Sequence, residues 1–367
     1  MKVAYANAFY HAEAFTGRNV HVKQFIDNAT ARGHEVWTWP RDEYPGAKHL
    51  PWQRIARYSK LREMDLIYVR LEDDAPYELR FATAPYRQLA AAKLIVWEFN
   101  VPPEYGTVNG RSPEQIATSI RDFKRYGRGC DLAVCVSDAL ADYARTRIGL
   151  KRVVTVTNGS DPDMFRPDVP PVRRVPRCPD RLNVVWIGSA DIGYHNFDLL
   201  RETASRLCEL GEGQRIQFHI IGKGLRRLRD MPANVAYHGP EDYEAMPAWL
   251  TAMDVGLCLY HPGPSGFGSP LKLFDYMSSG LAVVSNHQQQ VSQIFQQLGQ
   301  DDLLFDFGDS AALASILVRL ASDRQRVRSL GRAARQLVID RYNWRRAVDE
   351  TFSAITELQP ALQQRNS

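Results

Sequence analysis

The 367-residue sequence has no apolar run approaching the roughly 20 residues that a bilayer-spanning helix needs. Its opening, MKVAYANAFY, lacks the long apolar stretch and small-residue cleavage site of a secretory leader. A cytoplasmic chain is therefore expected. Cysteine is scarce, five residues in all, with no C-x-x-C pair, and the histidines are scattered. Neither a structural zinc site nor a disulfide framework is expected from that spacing. Cys135, Cys208 and Cys258 lie in apolar patterns, where a thiol packs as a small hydrophobe. A dense basic stripe with interleaved aromatics is also missing, which argues against nucleic acid as a partner. The net charge of +4 is nevertheless uneven, because residues 1–175 hold 26 Lys+Arg against 21 Asp+Glu. Such a first half suits an acidic acceptor, a phospholipid surface, or solvent alone. Lysine nearly disappears later: residues 176–367 contain eighteen arginines but only Lys223 and Lys272.

Hydrophobic content of 44% and charged content of 24% are ordinary for a folded chain, and the length suits two domains. Short apolar runs at 3–6, 35–37, 66–69, 94–99, 132–136 and 153–157 alternate with helical spacing such as Val20, Phe25, Ile26 and Ala29. Several runs follow an acidic residue, as at Asp65 and Asp131. The alternation predicts parallel strands joined by crossover helices. Residues 161–181 then hold six prolines and little periodicity, the composition of a linker. The rhythm restarts at Asn183 and continues through 216–222, 235–239, 255–260, 282–286 and 303–307. Two α/β units joined by a proline-rich hinge are expected, each binding ligand beyond the carboxyl ends of its strands.

Four segments carry chemistry. Val185-Trp186-Ile187-Gly188-Ser189 runs into a glycine turn and a helix start near His195 or Asn196. Such turns let backbone N–H groups approach phosphate, and the helix N-terminus favours its charge; a ligand-free turn has the same pattern. Ile220-Ile221-Gly222-Lys223-Gly224 is a second glycine turn, carrying a lysine. In the third, Ser265-Gly266-Phe267-Gly268-Ser269-Pro270 leads into a helix with Lys272 in its first turn and Asp275 three residues on. That pair suits a diphosphate clamp and a ribose contact, or merely a surface ion pair. Both late lysines thus sit in glycine-flanked turns, where a compact point charge is useful. Fourth is Asn158-Gly159-Ser160-Asp161, a polar turn ending the first unit.

In order and spacing these segments resemble the retaining GT-B-fold glycosyltransferases of family 4, the glycosyl transferases group 1. Asn158-Gly159-Ser160-Asp161 with Phe165 and Pro167 resembles their N-G-x-D-x-x-x-F-x-P signature. The run from Ser269 to Ser285 is similar to their donor-site helix, and Arg341-Tyr342-Asn343-Trp344 to their final segment. The resemblance implies an α/β chain of GT-B architecture, two Rossmann-like parallel-sheet domains facing a cleft. It divides the chain into an acceptor-side domain (1–165), a linker (166–181), a nucleotide-sugar-binding domain (182–343) and a helix crossing back (344–360). It implies a nucleotide-sugar donor, a glycan or lipid-linked acceptor, a role in polysaccharide biosynthesis, and no metal or other cofactor. Asp275 matches the ribose-binding carboxylate; Lys272, Leu271 and the loop Gly266, Phe267, Gly268 and Ser269 match the part facing phosphates and sugar. Gly188, Ser189, Gly222 and Lys223 match the two other donor-domain turns, and Gly17 a glycine loop approaching from the first domain.

The chain departs from the pattern in several places. Phe267 stands where the family carries the first of two carboxylates, and Asp275 shortens the second. The usual arginine and lysine after the first strand are replaced by a loop bearing Ser189, Asp191 and His195, so His195 is a candidate cation. Glu98 and Asn100 occupy the place of a common histidine, making Glu98 a candidate base. Asp161-Pro162-Asp163 spells a metal motif of another fold, and is read as turn chemistry. Two alternatives share the donor pocket: a nucleotide-sugar 2-epimerase-like isomerase and a catalytically silent carbohydrate-binding subunit. The basic stretch 121–128 suggests peripheral contact with the inner face of a membrane, or simply a solvated helix.

Overall fold

Three strands begin where an apolar run follows an acidic anchor. The structure is a computed structural model that describes residues 1–6, 17–39, 44, 46–51, 53–73, 94–172, 180–224 and 231–363. In the first unit the strands are β1 (Lys2–Ala6), β2 (Glu35–Trp39), β3 (Lys48–His49), β4 (Leu66–Leu71), β5 (Leu94–Phe99), β6 (Leu132–Cys135) and β7 (Val153–Thr155). In the second they are β8 (Leu182–Ile187), β9 (Ile216–Ile221), β10 (Val235–Gly239), β11 (Val255–Cys258), β12 (Ala282–Asn286) and β13 (Leu304–Phe305). The acidic residues ahead of three strands bond the first or second N–H group of a neighbouring strand. Asp65 accepts from Lys2 N at 2.8 Å, Asp131 from Ile95 N at 2.9 Å and Asp254 from Asn183 N at 2.8 Å. Amides that would otherwise start a buried strand unpaired are thereby satisfied.

Both sheets are parallel, in the orders β3-β2-β1-β4-β5-β6-β7 and β10-β9-β8-β11-β12-β13. Each reverses direction beside its first strand, between β1 and β4 and between β8 and β11, and such switch points open a crevice for ligands. Strand β4 shows why its sequence is apolar at every position but Arg70. Ile67, Val69 and Leu71 face one core, while Leu66 and Tyr68 face the other. Helix α1 (Gly17–Ala31) covers the second face with Val22, Phe25, Ile26 and Ala29, and Val348, Phe352 and Ile355 of the last helix join them.

One compact unit comprises Met1–Asn158, Phe267–Ser269 and Trp344–Ser367, and the other Gly159–Gly266 and Pro270–Asn343. The break thus falls earlier than residue 165. Phe165 is fully buried against Tyr243, ring centroids 5.1 Å apart, and its carbonyl accepts from Ser278 Oγ at 2.8 Å. Its chain neighbours therefore belong to the second unit; residues 173–179 of the expected linker lie outside the described residues. Gly159 is required by packing, since a Cβ there would meet the Asn343 backbone at 2.7 Å. Asp161 Oδ1 accepts from the N–H groups of Asp163 (3.0 Å) and Met164 (3.3 Å), which accounts for that D-x-D as a turn.

One local expectation is corrected. Cys208 is exposed rather than packed as an apolar residue, its Sγ 3.3 Å from Asn234 Oδ1. Strand β3 was not expected, because two residues leave no periodicity to read. Finally, residues 121–126 belong to a helix spanning Pro113–Tyr126, whose apolar residues Ile116 and Phe123 are buried. Among the described residues, no helix is long and apolar enough to cross a membrane.

Candidate functional site

The switch point of the second sheet is built by two loops zipped together. The loop after β8 reaches His195, and the loop after β11 reaches Tyr260; the two residues form an isolated antiparallel bridge. Asn196 N bonds Leu259 O at 3.2 Å and His261 N bonds Tyr194 O at 3.0 Å. Asn196 then caps the helix Phe197–Glu209 by accepting from Leu199 N at 3.1 Å. Tyr276 holds the start of the turn, its hydroxyl accepting from Ile187 N at 2.8 Å. The two glycine turns touch directly: Gly188 N donates to Ile221 O at 3.0 Å and Ala190 N to Lys223 O at 2.9 Å. A Cβ on Gly222 would lie 1.6 Å from Gly188 O, and its φ of 144° is itself unsuited to other residues.

Lys272 enters this crevice from the first turn of the helix Leu271–Ser278. Its Nζ lies 3.1 Å from His195 Nε2, 5.0 Å from the Trp186 ring centroid and 5.3 Å from that of Tyr260. Burial lowers the lysine to about 8. His195 is 5% exposed, and its Nδ1 is 2.9 Å from Ser189 O. Burial, then the charge of Lys272, push it down to about 3. The expected cation at His195 is therefore a neutral imidazole.

Asp275 faces elsewhere. Its Oδ1 accepts from Ser160 Oγ at 2.6 Å and lies 3.5 Å from the Tyr243 hydroxyl. Among the described residues it makes no ion pair with Lys272. Burial raises its pKa to about 7, opposed by the Ser160 and Tyr243 bonds. An acid with a raised folded pKa favours folding when protonated. Its contribution is complete below the unfolded value and declines as pH rises towards about 7. Asp275→Asn is therefore expected to gain on the order of 2 kcal/mol at pH 8 and almost nothing at pH 4, measured by urea unfolding at both pH values.

The loop expected beside Lys272 divides between the units. Gly266 belongs to the second, with open space where a Cβ would stand. Phe267, Gly268 and Ser269 group with the first. Ser137 Oγ donates to Phe267 O at 2.5 Å, Phe267 packs edge-on against Tyr143 at 5.8 Å, and Asn158 Nδ2 donates to Ser269 O at 2.8 Å. Phe267 thus makes apolar contacts where a carboxylate is the family pattern.

In the first unit, Glu98 of β5 stands opposite Arg70 of β4 in the parallel register. The carboxylate is 1% exposed. Its Oε1 accepts from Arg70 at 2.5 Å and Asn100 at 2.6 Å, with His21 Nε2 at 3.2 Å, and its Oε2 from Tyr5 at 3.3 Å. Burial opposes ionisation, but His21, Arg70 and the bonds from Asn100 and Tyr68 outweigh it and hold the pKa below its usual range. His21 itself is pushed down to about 4, chiefly by burial. A general base needs a raised pKa and a free lone pair. Glu98 has neither, so the candidate base is a buried, saturated ion-pair partner.

These turns agree with a match in sequence: residues 181–323 fit the family model of the glycosyl transferases group 1. The chain carries a glycosyltransferase domain. Over nearly its whole length it resembles solved structures of the GT-B fold. Sucrose-phosphate synthase from Thermosynechococcus elongatus has 17% identity and a TM-score of 0.70, covering 98% of this chain and 99% of that one. HepE of Anabaena, in complex with UDP-glucose, has 14% identity and a TM-score of 0.68, covering 96% and 100%. The trehalose-6-phosphate structure from E. coli, bound with UDP-2-fluoro glucose, has 11% identity and a TM-score of 0.67, covering 98% and 99%. The two parallel-sheet units are accordingly those of a GT-B fold. No curated protein matches the chain in sequence.

Within the glycosyltransferase domain, then, the structure brings together Gly188, Ser189, His195, Gly222 and Lys272, and sets Asp275 in a separate cluster. Lys223 contributes its carbonyl to the turn, and its side chain is exposed. Leu271 opens the helix that carries Lys272. Gly17 opens α1 in the first unit, and residues 7–16 before it lie outside the described residues. Trp186, Tyr194 and Tyr260, which surround the lysine, were not singled out from sequence. Their aromatic character reads there as ordinary core. Arg70 was missed as well, although a charge inside the run Leu66–Leu71 is a legible sign of a buried partner.

Proposed function

We propose that the chain is a retaining glycosyltransferase moving a sugar from a nucleotide-sugar donor to a hydroxyl of a glycan or lipid-linked acceptor. No metal takes part in this reading, and the chain works in the cytoplasm. The observation that carries it is the caged ammonium of Lys272 beside the glycine turns at a sheet switch point. As the bond between sugar and diphosphate breaks, negative charge collects on the leaving group. Lys272 and the backbone N–H groups of the turns offset that charge, which is the main task of such a site. In the retaining route the acceptor hydroxyl attacks from the face the diphosphate leaves. HepE and the E. coli protein were solved with UDP-linked sugars, and the same donor class is proposed here.

A thermal-shift panel of UDP-, GDP- and ADP-linked sugars tests this directly. One nucleotide at about 100 times its Kd is expected to add about 2.7 kcal/mol, several degrees in Tm. Turnover with that donor is expected to persist in EDTA. The second reading, a silent binding subunit, rests on Phe267 in the carboxylate's place. It gains if no nucleotide stabilises the folded chain.

A further inference from the structure

We infer that His195 is a positioning residue: a neutral hydrogen-bond acceptor that locks the Lys272 ammonium between Trp186 and Tyr260 for a diphosphate. The inference rests on the donor-site reading above and assigns a role within it that differs from a second cation.

The tautomer follows from the partners. Ser189 O can only accept, so the ring nitrogen 2.9 Å away, Nδ1, carries the proton. Nε2 then holds a lone pair, and Lys272, which has only N–H donors, donates to it across 3.1 Å. A protonated ring would set two like charges at that distance in a buried site, which burial and Lys272 both oppose. The ring has no freedom to turn away. It lies edge-on to Trp186 at 5.4 Å and to Tyr194 at 4.4 Å, and its backbone is zipped to Tyr260. Gly188 leaves the room it needs, since a Cβ there would sit 3.0 Å from His195 Cε1.

The consequence is a lysine ordered before ligand arrives. One of its three N–H groups is committed to His195, its charge is faced by two aromatic rings, and two N–H groups remain for phosphoryl oxygens. Among the described residues, the other titratable groups around the pair are Cys258, Tyr194 and Tyr260. Burial raises Cys258 to about 12, so it stays a neutral thiol throughout the range tested.

Two measurements decide the matter. Nitrogen-15 NMR of the wild-type histidines is expected to show His195 as the neutral Nδ1–H tautomer from pH 6 to pH 8. An imidazolium or an Nε2–H ring in that range would overturn the inference without any variant being made. Calorimetric titration with UDP across pH 6–10 is the second. His195→Leu, which removes the acceptor, is expected to weaken UDP about tenfold, equivalent to about 1.4 kcal/mol. It should also move the alkaline limb of binding to lower pH, because the ammonium loses a bond that favours its charged form. His195→Gln can offer a carbonyl oxygen to the same ammonium and is expected to stay within about threefold of wild type with its alkaline limb unmoved. Wild-type affinity and limb in the leucine variant would overturn the inference, as would equal losses in both variants. If wild type itself binds no UDP, the donor reading fails for that nucleotide, while the NMR result still decides the tautomer.

Discussion

Lys272→Ala is expected to lower kcat about 100- to 1,000-fold on whichever nucleotide sugar stabilises the wild type, the loss typical of removing one preorganised group from a developing oxyanion. The magnitude follows from how little else among the described residues could replace it. His195 is neutral, and Lys223 is exposed with only its carbonyl tied to the neighbouring turn. Lys272→Arg is expected to recover little, because a planar fork does not fit a cage closed by Trp186, Tyr260 and the single acceptor His195. In the wild type, donor affinity should fall above about pH 8, where the free ammonium deprotonates. Bound phosphate stabilises the charged form, so the same limb for kcat should lie at higher pH. Steady-state kinetics of the three proteins between pH 6 and pH 10 check these expectations. An alanine variant within threefold of wild type would remove Lys272 from the chemistry.

The second large effect is on stability. Arg70→Met is expected to cost about 3–5 kcal/mol at pH 7, since it strands a carboxylate in the core of the first unit. Glu98 is 1% exposed, and its shortest hydrogen bond is from that guanidinium, 2.5 Å away. The double variant Arg70→Met, Glu98→Leu should recover most of the loss, because no uncompensated charge remains at position 98. The sign with pH is definite. In the wild type the folded pKa of Glu98 lies below its ordinary value, so its contribution is present at neutral pH and lost on acidification through that pKa. Without Arg70, burial dominates and raises the pKa. The single variant should therefore be least destabilised near pH 4. Urea unfolding of the three proteins at pH 4 and pH 7 tests the ordering.

Much of the fold was legible because local patterns and tertiary needs agree. Residues 94–99 and 282–286 read as strands of just those lengths, being mainly apolar runs buried on both faces. Acidic residues before strands were visible, and their purpose, satisfying an amide at the start of a neighbouring strand, became plain only with the pairing. The site was legible in part for the same reason. Glycine turns leave a mark in composition, and a lysine among arginines stands out.

The sequence by itself determined the α/β alternation, the two glycine turns and the singularity of Lys272, all of which depend on residues close together in the chain. What the tertiary structure alone decided is the state of each charged group. Glu98 is saturated by Arg70, Tyr5 and His21 from distant strands and a helix, and His195 is neutral because burial and Lys272 make it so. Asp275 turns to Ser160, 115 positions away. Protonation and pairing depend on desolvation and on neighbours brought together by folding, and neither quantity is written in local spacing.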